Sequence, residues 1–309
     1  MLIVDAHCDT VSRVLESNTS LLKNNFHLDI VRMKKYEKYV QFFASFINPS
    51  HGDPMKKAIA LIDRYFIEIE KNSEHIMHCN KYTDIENALQ SGKIASLLSI
   101  EGGEALMGQL ASLRMFYRLG VRSICLTWNY RNEIADGVKD SISGGGLTSF
   151  GREVVKEMNR LGMLIDLSHI SERGFWDCLD VSTAPVIVSH SNARALCNHP
   201  RNLTDEQLTA LKNKGGVVGI NFYPLFLNNS GEASITDIIK HIEYMAGLIG
   251  TEYLGLGSDF DGIEKTPAGF DGVQCMDTLI NKLLKLNYSE NDVENIMGMN
   301  LLRLMEKVL

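Results

Sequence analysis

The chain opens MLIVDAHCDT, an apolar run that ends in Asp5, His7 and Asp9. Side chains two apart in an extended segment share a face, so His7 and Asp9 form a His-x-Asp pair able to hold a divalent cation. The alternative is an ordinary polar turn at a strand end. The same coincidence recurs downstream. Glu101 follows an apolar run in SIEGGEAL, His169 closes IDLSH, His190 closes VIVSH, and Asp259 and Asp261 close GLGSDFDG. Singly, each has a structural alternative: a hydrogen-bonded histidine, a turn glutamate before Gly-Gly, an Asx turn in DFDG. Together, two histidines, a His-x-Asp pair and a lone glutamate are too many ligands for one closed zinc site. They suit two ions with one carboxylate between them. Glu101 follows a central strand between the two ligand groups and is the best bridge. Cys8, by alternation, points away from His7 and Asp9.

For these residues to meet, the runs that carry them must end on one rim. Strand-like runs occur at 2–5, 39–47, 94–100, 122–128, 163–169, 185–190, 216–223 and 253–260. Most are continuously apolar, the pattern of parallel strands buried on both faces. Between them, helical spacing predicts helices over 56–71, 147–162, 203–216 and 235–250. Thr148 is the expected N-cap and Gly162 the stop of the second. Thr204 and Gln207 form a capping box for the third, with Gly215 as its stop. Strands alternating with helices in this number predict a (β/α)8 TIM-like barrel forming a single domain over 1–309, with a doubly wound open sheet as the competitor. In a barrel the C-terminal strand ends converge on the face where active sites are built.

Composition narrows the function classes. Among 309 residues, 45% are apolar and 22% charged, as in an ordinary globular protein. A formal net charge of -7 argues against a nucleic-acid partner. The six cysteines form no C-x-x-C pair, which predicts reduced thiols. The absence of a basic region followed by an apolar stretch predicts no secretory signal. No apolar run approaches the roughly 20 residues of a membrane span. A cytoplasmic protein without a membrane partner is the expectation.

Eight segments, in order and over nearly the full length, carry a family resemblance: DAHCDT, SIEGGEAL, LTWNYRNEIADG, GLTSFGREVVKEMNRLGMLIDLSH, VIVSHSNAR, HPRNLTDEQL, GGVVGINFY and GLGSDFDG. The chain resembles the membrane dipeptidase (renal dipeptidase) family of metal-dependent peptidases, which have an amidohydrolase-like barrel. The resemblance implies that His7 and Asp9 bind one zinc, that Glu101 bridges, and that His169 and His190 bind a second zinc. It implies that Arg201 holds the substrate carboxylate, which a guanidinium fork can grip with two hydrogen bonds. It also implies that Asp259 shuttles a proton, that Tyr223 lines the substrate pocket, and that the chain dimerises. One departure stands out. Trp128 occupies the position where mammalian members carry a histidine that steadies the tetrahedral intermediate. An indole has one N–H donor and cannot take up a proton. Asn129 is then the alternative donor, or Trp128 only shapes the pocket. The expected activity is hydrolysis of dipeptides, including those with a D residue at the C-terminal position, through a metal-bridging hydroxide. Two alternatives stay open: another binuclear-metal hydrolase acting on a lactone, an amide or a nucleobase, and a non-catalytic ligand-binding barrel.

Overall fold

A computed structural model of the chain describes residues 1–50 and 52–309. Nine parallel strands carry the fold: β1 (Leu2–Cys8), β2 (Lys38–Phe46), β3 (Ile76–His78), β4 (Ile94–Glu101), β5 (Val121–Cys125), β6 (Leu164–Asp166), β7 (Ile187–Ser191), β8 (Val217–Ile220) and β9 (Leu254–Leu256). Eight of them close a ring in the order β1-β2-β4-β5-β6-β7-β8-β9 and back to β1. This is the expected (β/α)8 barrel, with helices around it. Each of the eight predicted runs supplies one barrel strand. The ninth, β3, pairs only with the start of β4, through Ile76↔Ile94 to His78↔Ser96. β5 takes over that flank of β4 from Leu98 onward.

The strands are buried along nearly their whole length, as continuous apolar runs in a parallel sheet require. One large hydrophobic cluster includes Ile3, Phe43, Tyr65, Phe116, Ile165 and Phe175. A second joins Val4, Val40, Phe42 and Leu97 to Ile85 and Ala88 of the helix Tyr82–Gln90 and to Leu301 and Leu304 of the helix Asn300–Val308.

The four predicted helices form as Pro54–Lys71, Ser149–Leu161, Asp205–Asn213 and Ile235–Ile249. Thr148 accepts from the Gly151 N–H at 2.9 Å, and Gly162 stops that helix at φ 70°, a left-handed conformation that favours glycine. Thr204 and Gln207 exchange the two bonds of the capping box. No helix among the described residues is long and apolar enough to cross a membrane.

Candidate metal centre

Several predicted strands run past their hydrogen-bonded ladders. β6 ends at Asp166 and β9 at Leu256, whereas His169 and Asp259 lie beyond them. Both residues, with Asp261, adopt positive φ (66°, 62° and 69°). For a residue with a Cβ the left-handed region costs roughly 1–2 kcal/mol, so the chain pays a local strain where its ionisable side chains turn inward.

The result is one buried cluster. His7 Nε2 lies 3.2 Å from Asp9 Oδ2, 3.5 Å from Glu101 Oε2 and 3.9 Å from Asp259 Oδ1. The other oxygen of Glu101, Oε1, lies 2.9 Å from His169 Nε2 and 3.6 Å from His190 Nε2. The two latter nitrogens are 2.8 Å apart. All five predicted ligands and Asp259 are therefore brought together. Asp261 is not part of this cluster. Its carboxylate accepts from Thr10 Oγ1 at 2.5 Å and from the His27 N–H at 2.8 Å, tying the loop after β9 to two segments near the N-terminus.

A layer of buried polar groups beneath the cluster escaped the sequence reading. His190 Nδ1 donates to Ser189 Oγ at 2.8 Å, and Ser189 Oγ donates to Asp166 Oδ2 at 2.5 Å. Asp166 Oδ1 also accepts from the N–H groups of Ser168 and Ser189, each at 3.0 Å. On the far side of the barrel, Asp5 accepts from Ser258 N at 2.8 Å and Ser258 Oγ at 2.6 Å. The signal was present as an aspartate inside each of two otherwise apolar runs, LIVD and LIDL. Asn221 donates to Asp259 Oδ2 at 2.9 Å and fixes that carboxylate. Gly262 lies so close that a Cβ there would sit 2.3 Å from Asp9 Oδ2 and 2.6 Å from Asp259 Oδ1.

The donor set fits cations. His169 Nδ1 donates to Asn129 Oδ1 at 2.8 Å, and His190 Nδ1 to Ser189. These bonds place the proton of each ring on Nδ1 and leave bare lone pairs on the two facing Nε2 atoms. Two lone pairs at 2.8 Å repel unless a positive centre stands before them. Burial, and then the Arg201 charge, push His169 well below the ordinary histidine range; burial, and then the charge on His7, do the same to His190. Burial opposes charge on His7 too, but Glu101 and Asp9 outweigh it and hold that ring well above the usual range. Burial raises Glu101 to about 7 and also raises Asp259. Asp9, Glu101 and Asp259 thus crowd three buried carboxylates around one imidazole, and Asp9 Oδ1 has no hydrogen-bond partner. Unpaired buried charge of this density calls for positive ions.

A cavity of about 570 Å³ opens above the cluster, within the range of small-molecule sites. Arg201, Tyr223, Trp128 and Asn129 all line it. Arg201 is buried, donates through Nη2 to the His190 carbonyl at 3.1 Å, has no partner for Nε, and forms no ion pair among the described residues. Burial lowers its pKa and raises the Tyr223 phenol to about 12. Asn129 is committed through Oδ1 to His169. Trp128 stacks edge-to-face on Phe46.

Comparison with known proteins identifies the family. The sequence matches the membrane dipeptidase family (peptidase family M19) over residues 1–309. An uncharacterised dipeptidase of Schizosaccharomyces pombe is 39% identical, covering 99% of this chain and 80% of its own length. The dipeptidase tcpJ of Claviceps purpurea is 35% identical over 91% of this chain and 69% of its own length. A metallopeptidase from Rhodobacter sphaeroides, solved with a phosphinate mimic of the dipeptide L-Ala-D-Ala, superposes with a TM-score of 0.92 at 27% identity, covering 100% of this chain and 99% of that one. With the match spanning every residue and relatives well above 30% identity, the chain belongs to the membrane dipeptidase family, peptidase family M19, a family of metal-dependent dipeptidases.

Proposed function

We propose that the protein hydrolyses the peptide bond of dipeptides, including those with a D residue at the C-terminal position, using two divalent cations, zinc, held by His7, Asp9, Glu101, His169 and His190. The observation that carries this is the placement of Glu101. Its Oε2 faces His7, and its Oε1 faces His169 and His190. A carboxylate set between two ligand groups in this way suits a bridging role. Such a metal pair supplies, when bound, Lewis acidity and a water of lowered pKa.

The rest of the chemistry belongs to side chains. Asp259 accepts a proton from the attacking water and passes it to the leaving amine. Asn221 holds one of its oxygens, and burial raises its pKa toward the range useful for both steps. Arg201 grips the substrate's terminal carboxylate, which explains a buried guanidinium without a carboxylate partner of its own. That contact selects dipeptides, because a longer peptide has no free carboxylate at that distance from the cluster. Tyr223 borders the same end of the cavity. Trp128 cannot replace a protonatable group. Asn129 retains Nδ2 as a donor while its Oδ1 orients His169. The ligand found in the Rhodobacter sphaeroides protein, a mimic of L-Ala-D-Ala, supports the tolerance of a D residue. All six cysteines are free and five are buried, which supports a reducing, cytoplasmic setting.

The test is turnover of Ala-Ala, L-Ala-D-Ala and C-terminally amidated Ala-Ala, with metal content measured on the same sample. The expected result is cleavage of both free dipeptides, little or none of the amide, and about two ions per chain. Equal turnover of the amide, or activity that survives complete metal removal, overturns the proposal.

A further inference from the structure

The cavity above the cluster has two unlike walls. Past β7 and β8 stand Arg201, Tyr223 and Phe226, one cation with a polar-tipped aromatic and an apolar one. Past β2 and β5, the strands that flank β4 across the ring from β8, stand Phe46 and Trp128. The Trp128 indole is half-buried. It packs edge-to-face on Phe46, with centroids 5.2 Å apart at 68°, and on Tyr130, at 5.7 Å and 62°. Its ring centroid is 6.4 Å from that of His169, so this apolar surface begins beside the cluster itself. An aromatic braced on two sides has lost its side-chain freedom before a ligand arrives, which favours binding of another apolar group. The volume of about 570 Å³ exceeds what two alanine residues need. Lys139 also lines this cavity, and its Nζ lies 5.0 Å from the Tyr130 centroid, placing positive charge at the same wall.

We infer that Trp128 and Phe46 form the surface that receives the side chain of the substrate's first residue, so that the enzyme selects dipeptides whose N-terminal residue is large and apolar, aromatic above all. The inference rests on the dipeptidase reading with Arg201 as carboxylate anchor. With the carboxylate at the β7–β8 wall and the peptide carbonyl at the cluster, the first residue extends toward the β2–β5 wall. Lys139 makes that end unfavourable for a lysine or arginine side chain. Trp128 acts here as a specificity-determining residue.

The experiment measures kcat/KM of the metal-loaded enzyme for Phe-Ala, Ala-Phe, Lys-Ala and Ala-Ala, in the wild type and in Trp128→Ala and Trp128→Phe. The wild type should favour Phe-Ala over Ala-Ala by about tenfold or more, the scale on which apolar pockets discriminate. Ala-Phe and Lys-Ala should show no such advantage. Trp128→Ala should bring the Phe-Ala to Ala-Ala ratio down toward unity, and Trp128→Phe should retain most of it. The wild-type panel stands even where a variant fails to fold. Equal rates on Phe-Ala and Ala-Ala, or a preference for Ala-Phe, overturn the inference while leaving the dipeptidase reading intact. Failure to cleave any dipeptide removes that reading and the inference with it.

Discussion

The Ser189 hydroxyl stands between the buried Asp166 carboxylate and the ring of His190, a candidate metal ligand, so Ser189→Ala tests its contribution. The hydroxyl donates to Asp166 at 2.5 Å and accepts from His190 Nδ1 at 2.8 Å, with His190 0% and Asp166 3% exposed. Its removal strands a ring N–H and one carboxylate oxygen. A buried polar group that loses its partner costs about 1–3 kcal/mol. Asp166 keeps two backbone N–H donors, so the expected loss in stability of the metal-free protein is near the middle of that range, about 2 kcal/mol. The larger effect should fall on metal affinity. Without an acceptor, Nδ1 no longer fixes the tautomer or orients the ring, and loss of such an outer partner weakens binding about 10–100-fold, or about 1.4–2.8 kcal/mol. Chelator competition on the apo-protein reads this directly, and thermal melts of the same samples read stability. One of two binding events should weaken by that factor, and the other should not. If both affinities match the wild type while the apo-protein is destabilised, the hydroxyl merely fills and satisfies the barrel interior, and the positioning argument is wrong.

Arg201→Lys keeps a charge but loses the planar fork. It should weaken transition-state binding of free dipeptides by about 1.5–3 kcal/mol, the net worth of one hydrogen bond to a charged group, mostly through KM, and an unchanged KM would count against carboxylate anchoring. Gly262→Ala should depress metal affinity and kcat together, because the new methyl must displace the carboxylates of both Asp9 and Asp259. Gly162→Ala, strained by the left-handed helix stop and by a Cβ 2.9 Å from the Val308 carbonyl oxygen, should lower the melting temperature and leave metal binding alone. Glu104 is buried with neither carboxylate oxygen hydrogen-bonded, and burial raises it to about 7. Its folded pKa lies above its unfolded one, so its contribution is fully present below the ordinary carboxyl range. That contribution is lost as pH rises through about 7, by about 3 kcal/mol at most. Glu104→Gln should therefore raise the melting temperature at pH 8 relative to wild type and do so far less at pH 4, and a pH-independent difference would refute this.

The barrel was legible because its strands are apolar on both faces, a pattern that survives in a one-dimensional string. β3 was not, since three residues, IMH, provide too little pattern and the strand owes its existence to a free stretch at the start of β4. The candidate ligands were legible by type and by their place after apolar runs. Their exact posture was not. His169, Asp259 and Asp261 sit in a backbone region that residue type does not announce, and the runs around them look like continuing strand when the ladder has already ended. Cys8 is buried within the large hydrophobic cluster, in line with its expected turn away from His7 and Asp9. The supporting pairs, Asp166 with Ser189 and Asp5 with Ser258, are invisible without the third dimension, because each joins residues far apart in the sequence. Asn221 is likewise an unremarkable letter until it is seen against Asp259.

The ring closes where β1 meets β9, and that seam is short: Asp5 pairs with Leu256, Cys8 bridges to Phe260, and the Asp9 N–H reaches the Phe260 carbonyl at 2.8 Å. β1 therefore waits for one of its two neighbours until β9, the last of the nine strands in chain order, has been synthesised. Contacts of such long sequence separation form late and slowly. His7 and Asp9 cannot take their places beside Asp259 on a nascent chain still lacking residues 254–260, so a ribosome stalled upstream of that segment holds a chain that cannot assemble the site.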